Sequence, residues 1–274
     1  MSNEQEREMA YKNINFEIEG RIARLTMTRD DRRNTITEPD VVAEFIDVFK
    51  RLQTAREASV LIITGEGKAF CAGGNIKDLK TSDEQEAPLQ HRYTYVDGIQ
   101  HITQGLNTLD IPTIAAVNGP AYGGGLDMTL FCDIAIASTN ARFCEQFVNL
   151  GLIPGDGGAW IMPRKINWQA ATDILLTGRT FDAEEALRLG VVYDVVEPEA
   201  LLPRAEALAQ QIASRPPNAV RFIKMLMRQG TTQPLADHLE HCASAQAVLQ
   251  STEDHRLALD AILAKQASPA FKGR

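Results

Sequence analysis

Thr113–Asp127 has the sequence TIAAVNGPAYGGGLD, an apolar strand that turns through four glycines into a helix with an acidic residue in its first turn. Glycine allows a ligand to approach the backbone closely, and the start of a helix offers unpaired N–H groups and the positive end of the helix dipole. This corner is therefore predicted to bind a developing negative charge. Asp127 would lie beside that charge.

A second corner has the same pattern. The short β-branched strand Ser59–Thr64 is followed by GEGKAFCAGGNIK (Gly65–Lys77), in which the glycine pair Gly73–Gly74 leads into another helix. Each corner could direct one N–H group at the same oxygen atom. Two such donors would form an oxyanion hole, which stabilises charge where it forms in a transition state.

Composition narrows the class of protein. A chain of 274 residues with 44% apolar content can bury a large core, and a net charge of −8 disfavours a nucleic-acid partner. The four cysteines are widely spaced, and neither a targeting segment nor an apolar run of membrane length occurs, so we expect a cytoplasmic protein without a membrane partner. His238 and His241 lack a clear third ligand, and we expect no metal site.

The chain divides into three predicted regions. Residues 1–10 are polar and are expected to be a flexible N-terminus. In residues 11–198 strands alternate with helices, which is typical of βαβ units in an α/β core. After Glu197-Pro198 the pattern changes, and residues 199–274 are predicted to form a helical region whose apolar stripes need a surface to pack on.

Six motifs together resemble the successive signatures of the crotonase family, the enoyl-CoA hydratase/isomerases. They occur in that family's order and spacing, and they are Phe70–Lys77, Ile114–Gly119 with Gly123–Gly125, Cys132–Ile134, Ala141–Phe143, Gly151–Gly155 and Leu176–Gly178. The resemblance implies an α/β fold of the ClpP/crotonase type, a spiral of ββα units with a C-terminal helical region for trimerisation. It also implies a homotrimer or homohexamer.

The resemblance further implies an acyl-CoA thioester substrate, with coenzyme A as part of the substrate and no other cofactor. The N–H groups of Gly74 and Gly124 would hold the thioester carbonyl as it becomes an enolate. Glycines at these positions could instead serve tight packing of strand on helix, but their family-matching context favours the oxyanion hole.

Hydration of an enoyl thioester asks for two carboxylates, one to activate water and one to exchange a proton at the α-carbon. The first family position is Asp127, one methylene shorter than the glutamate typical of hydratases, and the second is Phe147, which cannot transfer a proton. Asp156 and Glu145 are the acids near enough in sequence to substitute. Asp156 could equally be a helix N-cap, and Glu145 could be solvated or ion-paired.

These positions favour isomerase-type proton transfer on an unsaturated acyl-CoA over classical hydration. Three alternatives stay open: a true enoyl-CoA hydratase that uses Asp127 with Asp156 or Glu145, a hydrolase of C–C bonds in β-diketones, and a non-catalytic acyl-CoA-binding protein. Each would keep the two glycine corners.

The sequence also offers candidate residues for binding the acyl group and coenzyme A. Aromatic side chains could shape an acyl pocket, namely Tyr122, Phe147 and Trp160, although core packing is the commoner role of such residues. Candidates for contacts to coenzyme A are Arg33, Ala72, Lys77, Phe271 and Lys272, of which the last two would reach the nucleotide of a neighbouring subunit.

Overall fold

Six strands pair into the main sheet. The computed structural model describes residues 11–76, 80–81 and 87–274. The spatial order of the strands is β1 (Ile14–Glu19), β2 (Ile22–Met27), β3 (Val60–Gly65), β4 (Thr113–Val117), β6 (Ile134–Ser138) and β9 (Asp194–Val196). β1 and β2 form an antiparallel hairpin, and every further pair is parallel.

A small second sheet carries part of the glycine corner. It consists of β5 (Ala121–Tyr122), β7 (Arg142–Cys144) and β8 (Thr180–Asp182), with β5 parallel to β7 and β7 antiparallel to β8. Strands of two or three residues are too short to show an alternating pattern, so the sequence did not predict this sheet.

Helices cover the main sheet. Within the described residues they are α1 (Pro39–Ala55), α2 (Pro88–Thr94), α3 (Gln100–Thr108), α4 (Gly124–Phe131), α5 (Gly158–Lys165), α6 (Trp168–Thr177), α7 (Ala183–Leu189), α8 (Leu201–Ala213), α9 (Pro217–Gly230), α10 (Leu235–Gln250) and α11 (Glu253–Leu263). A single π-helical turn, Tyr95–Ile99, joins α2 to α3. Among the helices described, none has the length and apolar character needed to cross a bilayer.

Both faces of the central parallel strands β3 and β4 are buried, which accounts for their continuous apolar sequences. All five residues of β4 are buried. One face packs with α1, α3 and α4 in the larger core, and the other packs against Leu201, Ala205 and Ala209 of α8. The first helix beyond residue 198 thus completes the core of the sheet, while the predicted division of the chain at that residue stays a prediction.

Parallel pairing also brings the two glycine corners together. β3 and β4 are neighbours, so the loops that follow their carboxyl ends leave the same edge of the sheet. Cys71 then pairs with Ala121 in a single parallel bridge, and the N–H of Tyr122 donates to the carbonyl of Cys71 at 2.9 Å. The register of the sheet therefore fixes the distance between the corners.

Candidate active site

The corners touch at Gly73 and Gly124. Gly73 has φ +73°, and a Cβ on this residue would lie 2.7 Å from the carbonyl oxygen of Tyr122 and 2.9 Å from the nitrogen of Gly124. A side chain at residue 73 would therefore meet the backbone of the other corner as well as an unfavourable left-handed conformation. Glycine is needed here because the two backbones approach closely.

Gly74 and Gly124 line a mainly apolar cavity of about 100 Å³. Within the part of the chain that the structure describes, the N–H groups of Gly74 and Gly124 donate no hydrogen bond. Gly124 is the first residue of α4, where backbone N–H groups have no partner inside the helix. Two unpaired donors beside an apolar cavity are the arrangement that stabilises an oxyanion.

Asp156 lies in the wall of this cavity, next to Gly124. Its side chain is buried with 4% exposure, and a Cβ on Gly124 would lie 2.6 Å from its Oδ2 atom. The residue that precedes α5 as its N-cap is Gly157, and no side chain caps that helix. The alternative that Asp156 serves as the N-cap of α5 is therefore wrong.

Asp127 and Glu145 lie behind Asp156 rather than in the described lining of the cavity. Asp127 is completely buried and Glu145 is 1% exposed. A Cβ on Gly158 would lie 2.2 Å from Oδ1 of Asp127 and 2.3 Å from Oε1 of Glu145, so both carboxyls pack against the start of α5. The expectation that Glu145 is solvated or ion-paired is wrong, since no ion pair reaches it among the described residues.

Burial and mutual repulsion govern the charge of this group. Burial raises the pKa of Asp127 well above its usual range, and the charges of Glu145 and Asp156 raise it further. Burial also raises the pKa of Glu145, as does the charge of Asp156, whereas a hydrogen bond with Asp127 opposes the shift. Burial also raises the pKa of Asp156 above its usual range, and its hydrogen bond with Asp127 opposes this shift. These directions favour the protonated forms of Asp127 and Glu145.

Comparison with known proteins decides the family. A sequence model described as enoyl-CoA hydratase/isomerase matches residues 17–274. The chain belongs to the enoyl-CoA hydratase/isomerase family. It is an enzyme of the hydratase/isomerase kind with the crotonase fold.

Relatives in this family include proteins of both kinds. The chain is 36% identical to (E)-benzylidenesuccinyl-CoA hydratase of Thauera aromatica, over 95% of this chain and 99% of that protein. It is 31% identical to 1,2-epoxyphenylacetyl-CoA isomerase of Escherichia coli, over 94% and 97% of the two chains. The crystal structure of an enoyl-CoA hydratase from Bacillus anthracis superposes with a TM-score of 0.90 at 30% identity, covering 96% of this chain and 100% of that one.

The predicted acyl-pocket residues separate in space. Phe147 lines the cavity beside the glycine corners, whereas Tyr122 is not part of the described lining. Trp160 stacks on Phe131 with ring centroids 6.2 Å apart and lies in a second cavity of about 240 Å³. Asp156 belongs to the walls of both cavities.

The predicted contacts to coenzyme A fall in two places. Arg33 and Ala72 are adjacent, since the N–H of Ala72 donates to the carbonyl of Arg33 at 2.9 Å, next to Gly73. Phe271 and Lys272 lie against α11, where Lys272 forms an ion pair with Glu253 at 2.6 Å. Lys77 lies outside the described residues. The binding roles of these five residues stay predictions.

The other residues that line this cavity were not predicted from the sequence. The described lining is completed by apolar and polar side chains from distant segments, namely Ile36, Thr37, Ile76, Thr94, Tyr95, Ile99, Gln146, Leu150 and Leu152. Most come from the segment before α1 and from the α2–α3 region, which carry no motif. Cys71, by contrast, behaves as the expected buried apolar residue, because burial raises the pKa of its thiol to about 12.

A Gly158→Ala substitution tests the packing of the two rear carboxyls. The new Cβ would overlap Asp127 and Glu145, which are enclosed and have no open space to enter, so we expect a loss of about 1–3 kcal/mol in the free energy of unfolding. Gly230→Ala is the matched control near a helix end, where the nearest atom is 3.3 Å away in the ring of His238. Urea denaturation of both variants is the measurement. Equal stability of the two variants would contradict this packing.

Proposed function

We propose that the protein isomerises an unsaturated acyl-CoA by moving one proton between two carbons of the acyl chain. The observation that carries this proposal is the position of Asp156, packed against Gly124 in the wall of the cavity that the two unpaired N–H groups line. A single carboxylate beside an oxyanion hole can remove a proton and return it. Isomerisation requires no other acid or base.

The chemistry balances without an added reactant. Ionised Asp156 takes a proton from the α-carbon of a β,γ-unsaturated thioester, and the electron pair of the broken C–H bond delocalises into the carbonyl. The N–H groups of Gly74 and Gly124 hold the resulting dienolate oxygen. Protonated Asp156 exchanges its proton with solvent and delivers a proton to the γ-carbon, which leaves the α,β-unsaturated thioester and restores the carboxylate, or returns it to the α-carbon.

Phe147 supports proton transfer over the addition of water. It lines the cavity at the family position where a second acid would activate water, and it replaces that acid with an apolar ring. Relatives named for reactions of CoA thioesters support coenzyme A as the carrier of the acyl group.

Assembly into a homotrimer or homohexamer is part of the same proposal. Large apolar side chains on the last helices are strongly exposed in the single chain, including Met227 at 71%, Leu235 at 72% and Leu263 at 80%. Contact with a second copy would remove this surface from water. The predicted approach of Phe271 and Lys272 to a neighbouring nucleotide depends on such an assembly.

Hydration is the second candidate, and one observation favours it. The second cavity has polar side chains, among them Gln100, Thr103 and Gln104, and it shares Asp156 with the first cavity. Water held there could reach the same carboxyl. In that case Asp156 would activate water at the β-carbon, and a proton from the carboxyls behind it would be needed at the α-carbon.

Incubation with matched α,β- and β,γ-enoyl-CoA thioesters in heavy water separates the candidates. Isomerisation predicts interconversion of the two double-bond positions with deuterium at the α- or γ-carbon, and no 3-hydroxyacyl-CoA. Rapid formation of 3-hydroxyacyl-CoA would overturn isomerisation in favour of hydration. Binding of the thioesters without exchange or conversion would overturn both and favour a non-catalytic protein.

A further inference from the structure

The three buried carboxyls behind the glycine corner form an ordered chain. Asp127 lies within hydrogen-bonding reach of both Glu145 and Asp156, whereas Asp156 acts on Glu145 through its charge alone. Asp127 is thus the middle member. Asp156 is the end that meets the cavity, and its Oδ1 atom is buried without a donor.

The burial and mutual proximity of the three carboxyls favour protonated forms. Five of their buried oxygen atoms receive no hydrogen bond from any N–H or O–H donor among the described residues, namely both oxygens of Asp127, both of Glu145 and Oδ1 of Asp156. Three ionised carboxylates at this depth would repel one another and would leave these oxygens unsatisfied. A proton on one carboxyl is a donor that can satisfy an oxygen of the neighbouring carboxyl.

The other charged and titratable groups around the three carboxyls do not change the inference that protons are held there. Cys71, which precedes the first glycine corner, is a buried neutral thiol close enough for Asp156 to act on it. The groups that act on Asp127, on α4, are Glu145 after β7 and Asp156 before α5. No lysine, arginine or histidine from the described residues contributes to the shift of any of the three carboxyls.

We propose that Asp127 and Glu145 are positioning residues that hold two protons in the order Glu145–H, Asp127–H, Asp156⁻. The single negative charge of the three carboxyls is then presented to the cavity at Asp156. Glu145 donates to Asp127, and Asp127 donates to Asp156. When Asp156 accepts a substrate proton, the group of three carboxyls becomes neutral. When it gives up that proton, the original state is restored.

This arrangement differs from direct proton transfer by Asp127. Asp127 sits at the position where the family resemblance implies a catalytic acid, but here it would serve as a permanent donor. An amide can do the same, because the new side chain in Asp127→Asn would donate through Nδ2 to Asp156 and accept through Oδ1 from Glu145. The inference rests on the proposed function for its kinetic readout, and it has a second readout that needs no substrate.

Kinetics of Asp127→Asn, Glu145→Gln and Glu145→Leu form the first readout. We expect the two amides to lower kcat much less than Asp156→Asn does, since each replaces a neutral donor with a neutral donor. Glu145→Leu removes the donor to Asp127, so the acid limb of the pH profile of kcat/KM should move to higher pH. A merely structural role of Glu145 would lower activity without moving that limb. Loss of activity in folded Asp127→Asn would overturn the proposal.

Infrared spectroscopy of the free protein is the second readout. Protonated carboxyls absorb apart from carboxylates, and the wild type should show two buried protonated carboxyls at neutral pH, one of which disappears in Asp127→Asn and one in Glu145→Gln. This result does not depend on the reaction catalysed. Bands that are unchanged in both variants would overturn the proton chain even if isomerase activity is found, whereas the expected bands without activity would contradict the proposed function alone.

Thermal unfolding across pH adds an independent check on the same variants. Buried carboxyls whose pKa is raised bind more protons in the folded state than in the unfolded state, so stability falls as pH rises above the usual carboxyl range towards the raised pKa. The amide of Asp127→Asn cannot ionise, and the melting temperature of this variant relative to wild type should therefore increase with pH. A difference that stays constant with pH would contradict a raised pKa for Asp127.

Discussion

Asp156→Asn is expected to lower kcat by about 10²–10⁴-fold, the usual contribution of a positioned general acid or base. The amide keeps the size and shape of the side chain but can neither accept nor return a proton. The Michaelis constant should change little, because the N–H groups of Gly74 and Gly124 and the apolar lining still hold the thioester. Steady-state kinetics on the substrate identified in the heavy-water experiment is the measurement.

Asp260→Asn is the matched control for this substitution. Asp260 is exposed on α11 and takes no part in the candidate site, so its amide should retain wild-type kcat. Activity of Asp156→Asn close to that of Asp260→Asn would remove Asp156 from the mechanism. Circular dichroism and a urea titration of both variants would show that each is folded.

Gly73→Ala is expected to lower kcat by about 10²–10³-fold, the effect of losing a donor of an oxyanion hole. The new Cβ would lie 2.7 Å from the carbonyl oxygen of Tyr122 and 2.9 Å from the nitrogen of Gly124, and neither atom can move without its strand or helix. The two corners would have to separate, and the N–H groups of Gly74 and Gly124 would move apart. Kinetics and binding of an acyl-CoA thioester measure the consequence.

Gly20→Ala is the control that separates the effect of the close backbone contact at Gly73 from the effect of backbone strain. Gly20 has φ +58°, also left-handed, but a Cβ there meets nothing within 4 Å. Both alanines carry the cost of the left-handed conformation, and Gly73→Ala alone brings backbone atoms into collision. Gly20→Ala should therefore lose some stability and keep its kcat. Equal effects of the two substitutions on kcat would contradict the role of the corner contact.

Much of this architecture is visible in the sequence because backbone geometry leaves a clear signal. The apolar strand predicted before the first glycine corner is β4, and the helix predicted after that corner is α4. The two corners were predicted to converge because buried strands precede glycines in both, and the parallel pairing of β3 with β4 confirms this.

Side-chain directions at the site were harder to predict. Glu145 follows β7 and precedes a 3₁₀ turn at Gln146–Leu150, so it lies where the alternation of a strand ends and no periodicity fixes its direction. Its environment arises from the start of α5, since Gly158 leaves the space that the carboxyl occupies. No local pattern connects residues 145 and 158, and the buried group of three carboxyls emerges only from the tertiary packing.

The position of Asp127 illustrates the same limit. Its place in the first turn of α4 was predicted correctly, but the sequence carries no information on which neighbour lies between it and the cavity. Asp156 fills that place from the loop before α5. The presence of an acid at both positions could be inferred, whereas their order relative to the substrate depends on how α4 packs against α5.

Exchange of the α-proton of a bound acyl-CoA with heavy water, followed by mass spectrometry, compares Asp156 with Asp127 in a single assay. Wild type and Asp127→Asn should both incorporate deuterium at the α-carbon, and Asp156→Asn should bind the thioester without incorporating it. That pattern would assign the proton transfer to the carboxyl that faces the cavity. Exchange by Asp156→Asn at the wild-type rate, together with its loss in Asp127→Asn, would contradict the account.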